Sequence, residues 1–248
     1  MVTMVHFTSP MQSNIENQEE YVAAFEYYAR IILARHADRI PIWFTFNEPN
    51  LGSEGITAHS YNAYTSILLA HAKVYRWYKD TLKGKGKVSL KFAHNLALPH
   101  TQSSQDIDAA NRYQDFMVGI MGNPLFRGKQ YPDSVLNTPG LNLTALTKAQ
   151  IAEIKGTCDF WAYDPYTVQF ATPASGGIEA CARNTEHPQY PKCVDLGPTQ
   201  ANGWIIGRSS KSYPLLAPQH VRQQVGYVWK TFRPTGIMIT EFGFPEFH

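Results

Sequence analysis

Short runs of β-branched and aromatic residues alternate with longer helical patterns along this 248-residue chain. Five runs have the composition of buried strands, at residues 1–7, 42–47, 88–93, 158–163 and 236–240. Strands that alternate with helices are typical of a parallel sheet whose neighbouring strands are joined by crossover helices. The sequence therefore predicts an α/β fold, which we assign to a single domain over residues 1–248.

The segments between these strands repeat apolar residues at spacings of three and four, which predicts helices at about residues 19–36, 59–83, 109–121, 145–155 and 218–232. The second helix carries an aromatic stripe and His71, which indicate a face packed against the sheet rather than a ligand site. The dipeptides Asn123-Pro124 and Tyr131-Pro132 predict loops. Residues 171–214 lack a regular period, so we expect a long irregular segment, which is usually functional or disordered.

Polar residues follow the predicted strands where each strand ends. Residues 42–46 are apolar or β-branched, and the strand stops at Asn47-Glu48-Pro49, because proline has no N–H for the ladder. In an α/β barrel the catalytic residues lie at the C-terminal ends of the strands. Five predicted strands are fewer than the eight that close such a barrel. Taken alone, Glu48 is equally consistent with a solvated turn carboxylate.

Glu48 and Glu241 both follow predicted strands of one sheet, so we expect them on the same rim. Two carboxyl groups that face each other across a pocket are the minimum equipment for cleaving a glycosidic bond. One must hold a proton near neutral pH while the other stays ionised, and different surroundings can separate their pKa values in this way. Aromatic faces for a sugar ring are offered by Trp204, while Trp43 and Trp161 lie within strands and are expected in the core.

The composition favours a small neutral carbohydrate as the partner. Charged residues make up 17% of the chain and aromatic residues 13%, and the formal net charge is +2. The sequence contains no run of Lys and Arg, so nothing indicates nucleic-acid binding. No apolar stretch approaches the roughly 18 residues that a membrane span needs, so we expect no membrane partner.

The three cysteines show no spacing typical of a zinc site. Cys181 and Cys193 bracket a loop rich in Pro, Gly and Asn, where a disulfide and two free thiols are both open. Residues 142–144 form an N-glycosylation sequon, and residues 1–7 are too short and uncharged for a signal peptide. The cysteine loop and the sequon favour an extracellular, secreted protein, with a cytoplasmic location as the alternative.

The motifs resemble those of glycoside hydrolase family 1, the β-glucosidase family. The family's acid/base motif Thr-Phe-Asn-Glu-Pro stands intact at residues 45–49, and its nucleophile motif Ile-Thr-Glu-Asn-Gly corresponds to Ile-Thr-Glu-Phe-Gly at residues 239–243. Further matches in the same order cover residues 5–10, 123–132, 159–167 and 204–205. The resemblance therefore extends over nearly the whole chain.

The resemblance implies a retaining β-glycosidase that hydrolyses terminal β-D-glucosyl residues through a covalent glycosyl-enzyme. Glu48 would be the acid/base and Glu241 the nucleophile, with the two carboxyl groups about 5–5.5 Å apart. The reaction would require no metal and no organic cofactor. Substrate-binding roles carry over to five positions: His6, Asn47, Asp164, Tyr166 and Trp204. His6 and Asn47 would bind glycone hydroxyls, Tyr166 would donate to the nucleophile, and Trp204 would line the aglycone side.

Three positions depart from the family pattern. The family's Asn before Pro-Tyr is Asp164 here, which adds a third carboxylate to the pocket and would raise the pKa of a neighbouring carboxyl. The Asn after the nucleophile is Phe242, and the Trp after the glycone-binding His is Phe7. We expect these changes to alter glycone preference while leaving both glutamates in place.

Members of the family are longer than this chain. Matched onto them, it begins at the third barrel strand and ends just after the seventh. The expected fold is therefore an incomplete (β/α)8 TIM barrel, with about strands 3 to 7 and their helices, open at both edges and with an exposed inner face. Two functional alternatives stay open: another retaining barrel glycosidase such as a cellulase, and a truncated chain without catalytic activity.

Overall fold

A computed structural model describes residues 1–6, 15–54, 60–212 and 214–245, with side chains at all of these except 52–54. Strands, numbered along the chain, occupy β1 (Val2–His6), β2 (Ile42–Asn47), β3 (Lys87–Ala93), β4 (Leu96–Pro99), β5 (Trp161–Asp164), β6 (Val168–Pro173), β7 (Val194–Gly197) and β8 (Ile237–Ile239). Helices occupy α1 (Gln18–His36), α2 (Ala63–Arg76), α3 (Ser104–Gln114), α4 (Ile120–Gly122), α5 (Asp133–Leu136), α6 (Lys148–Ile154), α7 (Ile178–Ala182) and α8 (Val221–Phe232).

The main sheet contains five parallel strands in the order β1-β2-β3-β5-β8. This confirms the α/β prediction, and the five strands are those expected from the sequence. The register places His6 opposite Asn47, Asn47 opposite Lys91, and Ala93 opposite Asp164. The C-terminal strand ends therefore meet along one edge. In the described residues β1 and β8 pair on one side only, so the sheet is open rather than closed into a barrel.

Helix α1 shows how the sequence covers this sheet. Its apolar residues at spacings of three and four are buried, and the Phe25 ring stacks on Phe46 of β2 with 4.4 Å between centroids. The side chain of Asn17 accepts a hydrogen bond from the Glu20 N–H and caps the N-terminus. Acidic residues in the first turn and basic residues in the last turn complement the helix dipole.

The core lies between the helices and the sheet. Trp43 and Trp161 are fully buried, which confirms their assignment to the core. His71 is also buried: its Nδ1 lies 2.7 Å from the Thr45 hydroxyl, and its Nε2 lies 2.8 Å from the carbonyl oxygen of Thr157. The prediction that His71 is a packed core residue is therefore confirmed. The free thiol of Cys158 is buried beside it, and burial raises its pKa to about 12.

The opposite face of the main sheet is covered more than we expected. Side chains alternate along a strand, so Phe44 lies on the face away from Thr45 and His71. Phe44, Phe160 and Ala162 form a small buried cluster there, with Met238 packed against it. The expectation of a largely exposed inner face is wrong for these residues, because the two aromatic rings pack edge to face, with their centroids 6.0 Å apart.

A second sheet was not predicted. Strand β4 pairs parallel with β6, and β6 pairs antiparallel with β7. Strands β6 and β7, helix α7 and a disulfide between Cys181 and Cys193 give structure to the segment expected to be irregular. The disulfide resolves the question left open for these cysteines.

The predicted helix and loop boundaries agree with the structure only in part. The predicted loop at Asn123-Pro124 is wrong, because the helical chain after α3 continues through a π-type turn, Asn123–Arg127, and ends at Gly128 with a left-handed φ of +59°. Pro124 lies in the first turn of this π-type segment, where the missing N–H of proline is tolerated. Residues 128–132 are irregular, as expected for Tyr131-Pro132. Helix α2 begins at Ala63. The predicted start of this helix at residue 59 lies outside the described residues, and so does Phe7.

Among the helices of the described ranges, none has the length and apolar character to cross a bilayer.

Candidate active site

Glu48 follows β2 directly, in a turn that holds it in an uncommon backbone conformation. Its φ is +46°, a left-handed value that costs energy in a residue other than glycine. The N–H of Glu48 donates to the carbonyl oxygen of Lys91 at 2.9 Å. The Asn50 amide donates to the carbonyl oxygens of Ala93 and Met117 at 2.6 and 2.7 Å and accepts from the Ala93 N–H at 3.0 Å. These bonds fix the turn that presents Glu48.

Glu241 follows β8, and its carboxylate is bound at both oxygens. The Tyr166 hydroxyl donates to Oε2 at 2.8 Å, and the Lys91 ammonium makes a short contact with Oε1. Tyr166 is positioned in turn by Asn95, whose Oδ1 accepts from the backbone N–H groups of Tyr166 and Thr167. The structure thus brings Tyr166 to Glu241.

Asp164 ends β5 and is fully buried. Its Oδ1 accepts from the Thr240 hydroxyl at 2.5 Å. Its Oδ2 is buried without a hydrogen-bond partner and lies 3.6 Å from Nζ of Lys91. The third carboxylate seen in the sequence therefore lies inside the cluster, next to a cation.

Lys91 is the central residue of the cluster and was missed by the sequence analysis. It lies on β3, is 6% exposed, and donates from Nζ to Oδ1 of Asn47 at 2.6 Å as well as to Glu241. A lysine within an otherwise apolar strand was the available signal, because lysine is almost never fully buried unless it is paired. Its partners lie at the ends of β2 and β5 and just after β8, and they become neighbours only in the folded sheet.

Glu48, Asp164 and Glu241 each contribute an oxygen to a group in which all three oxygens lie within 4.8 Å of one another. Such a group has the ligand type and spacing of a site for a hard cation. Lys91 already supplies a positive charge there, bonded to Glu241 and 3.6 Å from Asp164. A metal ion at this position would therefore compete with a protein ammonium group.

The pKa values of the three carboxyl groups are separated by their surroundings. Burial, followed by the charges of Asp164 and Glu241, raises the pKa of Glu48 to about 7, against an opposing effect of Lys91. Burial raises the pKa of Asp164 to about 6. Burial alone would also raise the pKa of Glu241, but hydrogen bonds from Lys91 and Tyr166 outweigh it and lower that pKa below its ordinary value. At neutral pH, Glu48 is poised between its acid and base forms, whereas Glu241 is ionised.

A cavity of about 430 Å³ opens beside this cluster, within the size range of small-molecule sites. Glu48, Asp164 and Tyr166 line one side of it. The other lining residues combine amide, aromatic and aliphatic groups with one cation, and they include Asn95, Gln169, Tyr113, Met117, Leu196 and Lys192.

The remaining predicted site residues differ in their placement. Asn47 is buried, and its Nδ2 has no hydrogen-bond partner. His6 is exposed at the end of β1, opposite Asn47 in the register, and its charge contributes to the lowered pKa of Glu241. Trp204 is 74% exposed, and it does not line the cavity. The structure thus gathers Asn47 and His6 near the carboxylates and leaves Trp204 outside, where its role stays a prediction.

A parallel α/β sheet with acidic residues gathered at its C-terminal strand ends places the chain in the class of α/β-barrel proteins, here with the barrel incomplete. A sequence model described as "Glycosyl hydrolase family 1" matches residues 1–248. The chain therefore belongs to glycosyl hydrolase family 1, as its motifs indicated.

Relatives with assigned names agree with this membership. "Beta-glucosidase 12" from Oryza sativa subsp. indica is 28% identical over the whole chain, and "Myrosinase 1" from Brevicoryne brassicae is 26% identical over 90% of it. A β-glucosidase from Trichoderma reesei and one from Humicola insolens each superpose on 98% of the chain with a TM-score of 0.84 at 24% identity, which shows the shared fold. The chain spans about half the length of these relatives: 53% and 51% of the two sequences and 56% of each structure.

Proposed function

We propose that this chain carries the catalytic centre of a retaining β-glycosidase that hydrolyses terminal β-D-glucosyl residues of small glycosides. The observation that carries the proposal is the opposite electrostatic environment of Glu48 and Glu241 within one cluster. Glu48, with a pKa raised to about 7, is suited to donate a proton and then to accept one. Glu241, held ionised by Lys91 and Tyr166, is suited to attack.

The reaction would proceed in two steps. A carboxylate oxygen of Glu241 bonds to the anomeric carbon while the glycosidic bond breaks, and Glu48 gives its proton to the departing oxygen. Glu48, now a carboxylate, then takes a proton from the water that hydrolyses the glycosyl ester and releases Glu241. One oxygen of Glu48 and one oxygen of Glu241 lie within 4.8 Å of each other, which supports the retaining geometry over the wider inverting one of about 6.5–9.5 Å.

The glycone would lie over the strand ends. Asn47 has a buried Nδ2 that can donate to a sugar hydroxyl, and His6 lies across from it in the register. Asp164 offers a carboxylate oxygen from the end of β5. Trp204 would meet the aglycone from its exposed position. A neutral polar sugar suits this mixture of donors and acceptors better than a phosphorylated ligand.

Two alternatives stay open. Another retaining barrel glycosidase, such as a cellulase, would use the same pair of glutamates, and a comparison of short aryl β-glucosides with cellulose chains as substrates separates the two. A chain without catalytic activity is the other alternative, because the chain spans about half of its relatives' length. The disulfide Cys181–Cys193 supports a secreted protein, since disulfides persist in oxidising compartments.

Trapping of the glycosyl-enzyme tests the proposal. A 2-deoxy-2-fluoro-β-glucoside with a good leaving group should add one fluoroglucosyl unit to Glu241, detected by mass spectrometry of the intact protein and of its peptides. Glu241→Gln should abolish labelling. Glu48→Gln should retain it, because a good leaving group needs little protonation. Absence of labelling in a folded protein, or labelling at another residue, would contradict the assignment.

A further inference from the structure

Asp164 and Lys91 place one negative and one positive charge in the interior of the candidate site. Asp164 is fully buried and Lys91 nearly so, and isolated buried charges are strongly unfavourable. Oδ2 of Asp164 has no hydrogen-bond donor, yet Nζ of Lys91 lies only 3.6 Å away and is bonded to Glu241 instead. Lys91 thus has a bonded carboxylate partner and a second one within a short movement.

We propose that Lys91 is a positioning residue whose ammonium group alternates between two carboxylates, bonded to Glu241 in the free enzyme and to Asp164 in the glycosyl-enzyme. The proposal rests on the function proposed above. It assigns a purpose to the carboxylate at position 164, where the motif of the family has an asparagine.

The alternation follows from the change of charge in the first step. When an oxygen of Glu241 bonds to the anomeric carbon, the electron pair of the broken glycosidic bond goes to the leaving oxygen, which takes the proton of Glu48. Glu241 thereby becomes a neutral ester and a poor partner for an ammonium group. Oδ2 of Asp164, which is ion-paired with Nζ at 3.6 Å but has no hydrogen-bond donor, can then accept a hydrogen bond from Nζ, and hydrolysis of the ester restores the first arrangement.

Lys91 also orients the amide of Asn47. Oδ1 of Asn47 accepts from Nζ at 2.6 Å, which fixes the rotamer and leaves Nδ2 as the donor for a substrate hydroxyl. The titratable groups that act on Glu241 and Glu48 come from every strand of the main sheet or the residues after it: His6, Glu48, Lys91, Asp164, Tyr166 and Glu241. Lys91 is the lysine among these groups. Its removal therefore leaves the carboxylates of Glu48, Asp164 and Glu241 without their nearest ammonium group.

The test compares Lys91→Met, Asp164→Asn and the double variant, with Lys79→Met as a matched control. Lys79 makes a 2.8 Å ion pair with Asp159, so its removal breaks a lysine–aspartate pair outside the carboxylate cluster. The measured quantity is the rate of trapping by the fluoroglucoside as a function of pH. Lys91→Met should move the acid limb of this rate upward by about one pH unit, and should therefore lower the rate by up to about tenfold at pH values below that limb.

The double variant should move the acid limb back toward that of the native protein and recover most of the lost rate, because Asp164→Asn removes the charge that Lys91 balanced. Lys79→Met should leave the limb unchanged. Lys91→Arg should keep the native limb, since the charge remains. An unchanged limb in Lys91→Met, or a double variant no closer to the native protein than Lys91→Met, would overturn the proposal.

A second readout separates this proposal from the proposed function. If the native protein is not labelled at all, the function fails, and the role of Lys91 is then tested by ¹³C NMR titration of the side-chain carboxyl carbons. The carboxyl carbon of Glu241 should titrate at least about one pH unit higher in Lys91→Met than in the native protein and in Lys79→Met. The same titration in Lys91→Arg covers the case in which Lys91→Met does not fold. Equal titration of Glu241 in the native protein and a folded Lys91→Met would refute the interaction.

Discussion

Glu48 and Glu241 have the same side chain, but their pKa values differ because their surroundings differ. Glu48 is buried near two other carboxylates, whereas Glu241 receives hydrogen bonds from Lys91 and Tyr166. The motif around each glutamate indicated a role in the sequence, but the cause of their different protonation lies in residues from other strands. The contact between Tyr166 and Glu241 was predictable from the motif that contains Tyr166. Lys91 belongs to no motif, and its place within a strand indicated a buried pairing but not its partner.

Glu48→Gln should lose less stability than the native protein between pH 5 and pH 8. The pKa of Glu48 is raised to about 7 in the folded protein, so between its ordinary value and 7 the folded state binds more protons than the unfolded state. The free energy of unfolding of the native protein therefore falls as the pH rises through this window. The variant lacks this loss. Between pH 5 and pH 8, the free energy of unfolding should fall by about 1–3 kcal/mol more in the native protein than in the variant, measured by urea unfolding at both pH values. An equal pH dependence in both proteins would show that Glu48 has an ordinary pKa.

At the scale of the elements, strands were predictable where a single pattern defined them. The five strands of the main sheet carry compact apolar runs, and each was expected from the sequence. Strands β4, β6 and β7 have four, six and four residues and depend on one another for pairing. Their partners are far apart in sequence, so local composition contained no signal of the second sheet.

The turn after β2 is held by a side chain that the sequence analysis did not single out. Asn50→Ala should destabilise the protein by about 3 kcal/mol, because three hydrogen bonds are lost and two buried carbonyl oxygens lose a donor. Trapping by the fluoroglucoside should also slow, since the left-handed turn at Glu48 loses its support. Urea unfolding and the labelling rate measure the two effects.

Asn202→Ala is the matched control for this change. Asn202 is exposed, and its side chain accepts a bond from the Trp204 N–H in a loop away from the carboxylates. Its replacement should alter the free energy of unfolding by less than about 0.5 kcal/mol. A loss as large as that in Asn50→Ala would show that the anchoring role assigned to Asn50 is wrong.

At the scale of the whole molecule, the segment that leads into β7 of the second sheet is held in place by hydrogen bonds from α3 and by the disulfide. The Arg112 side chain on α3 donates to the carbonyl oxygens of Lys192 and Pro191, next to Cys193. The disulfide closes the loop from Cys181 to Cys193, and β7 begins at the residue after Cys193. The long segment before α8 is thus ordered by covalent and non-local contacts rather than by local propensity.

Replacement of both bridging cysteines by serine should lower the free energy of unfolding by about 2–3 kcal/mol. A bridge over a sequence separation of 12 restricts the unfolded chain, and the loop entropy for this length is of that order. Urea unfolding of the variant and of the native protein, without reductant, measures the difference. A change below about 0.5 kcal/mol would mean that the loop is held by its other contacts alone.

The single free cysteine of the described residues makes the opening of the core measurable without an added label. The thiol of Cys158 is buried between β3 and α2, and burial raises its pKa to about 12. A thiol in this state reacts with a disulfide reagent only after the surrounding layers separate. The rate of its modification therefore reports how often the helix and the sheet separate. Measured in each variant, this rate shows whether a substitution makes the core open more often.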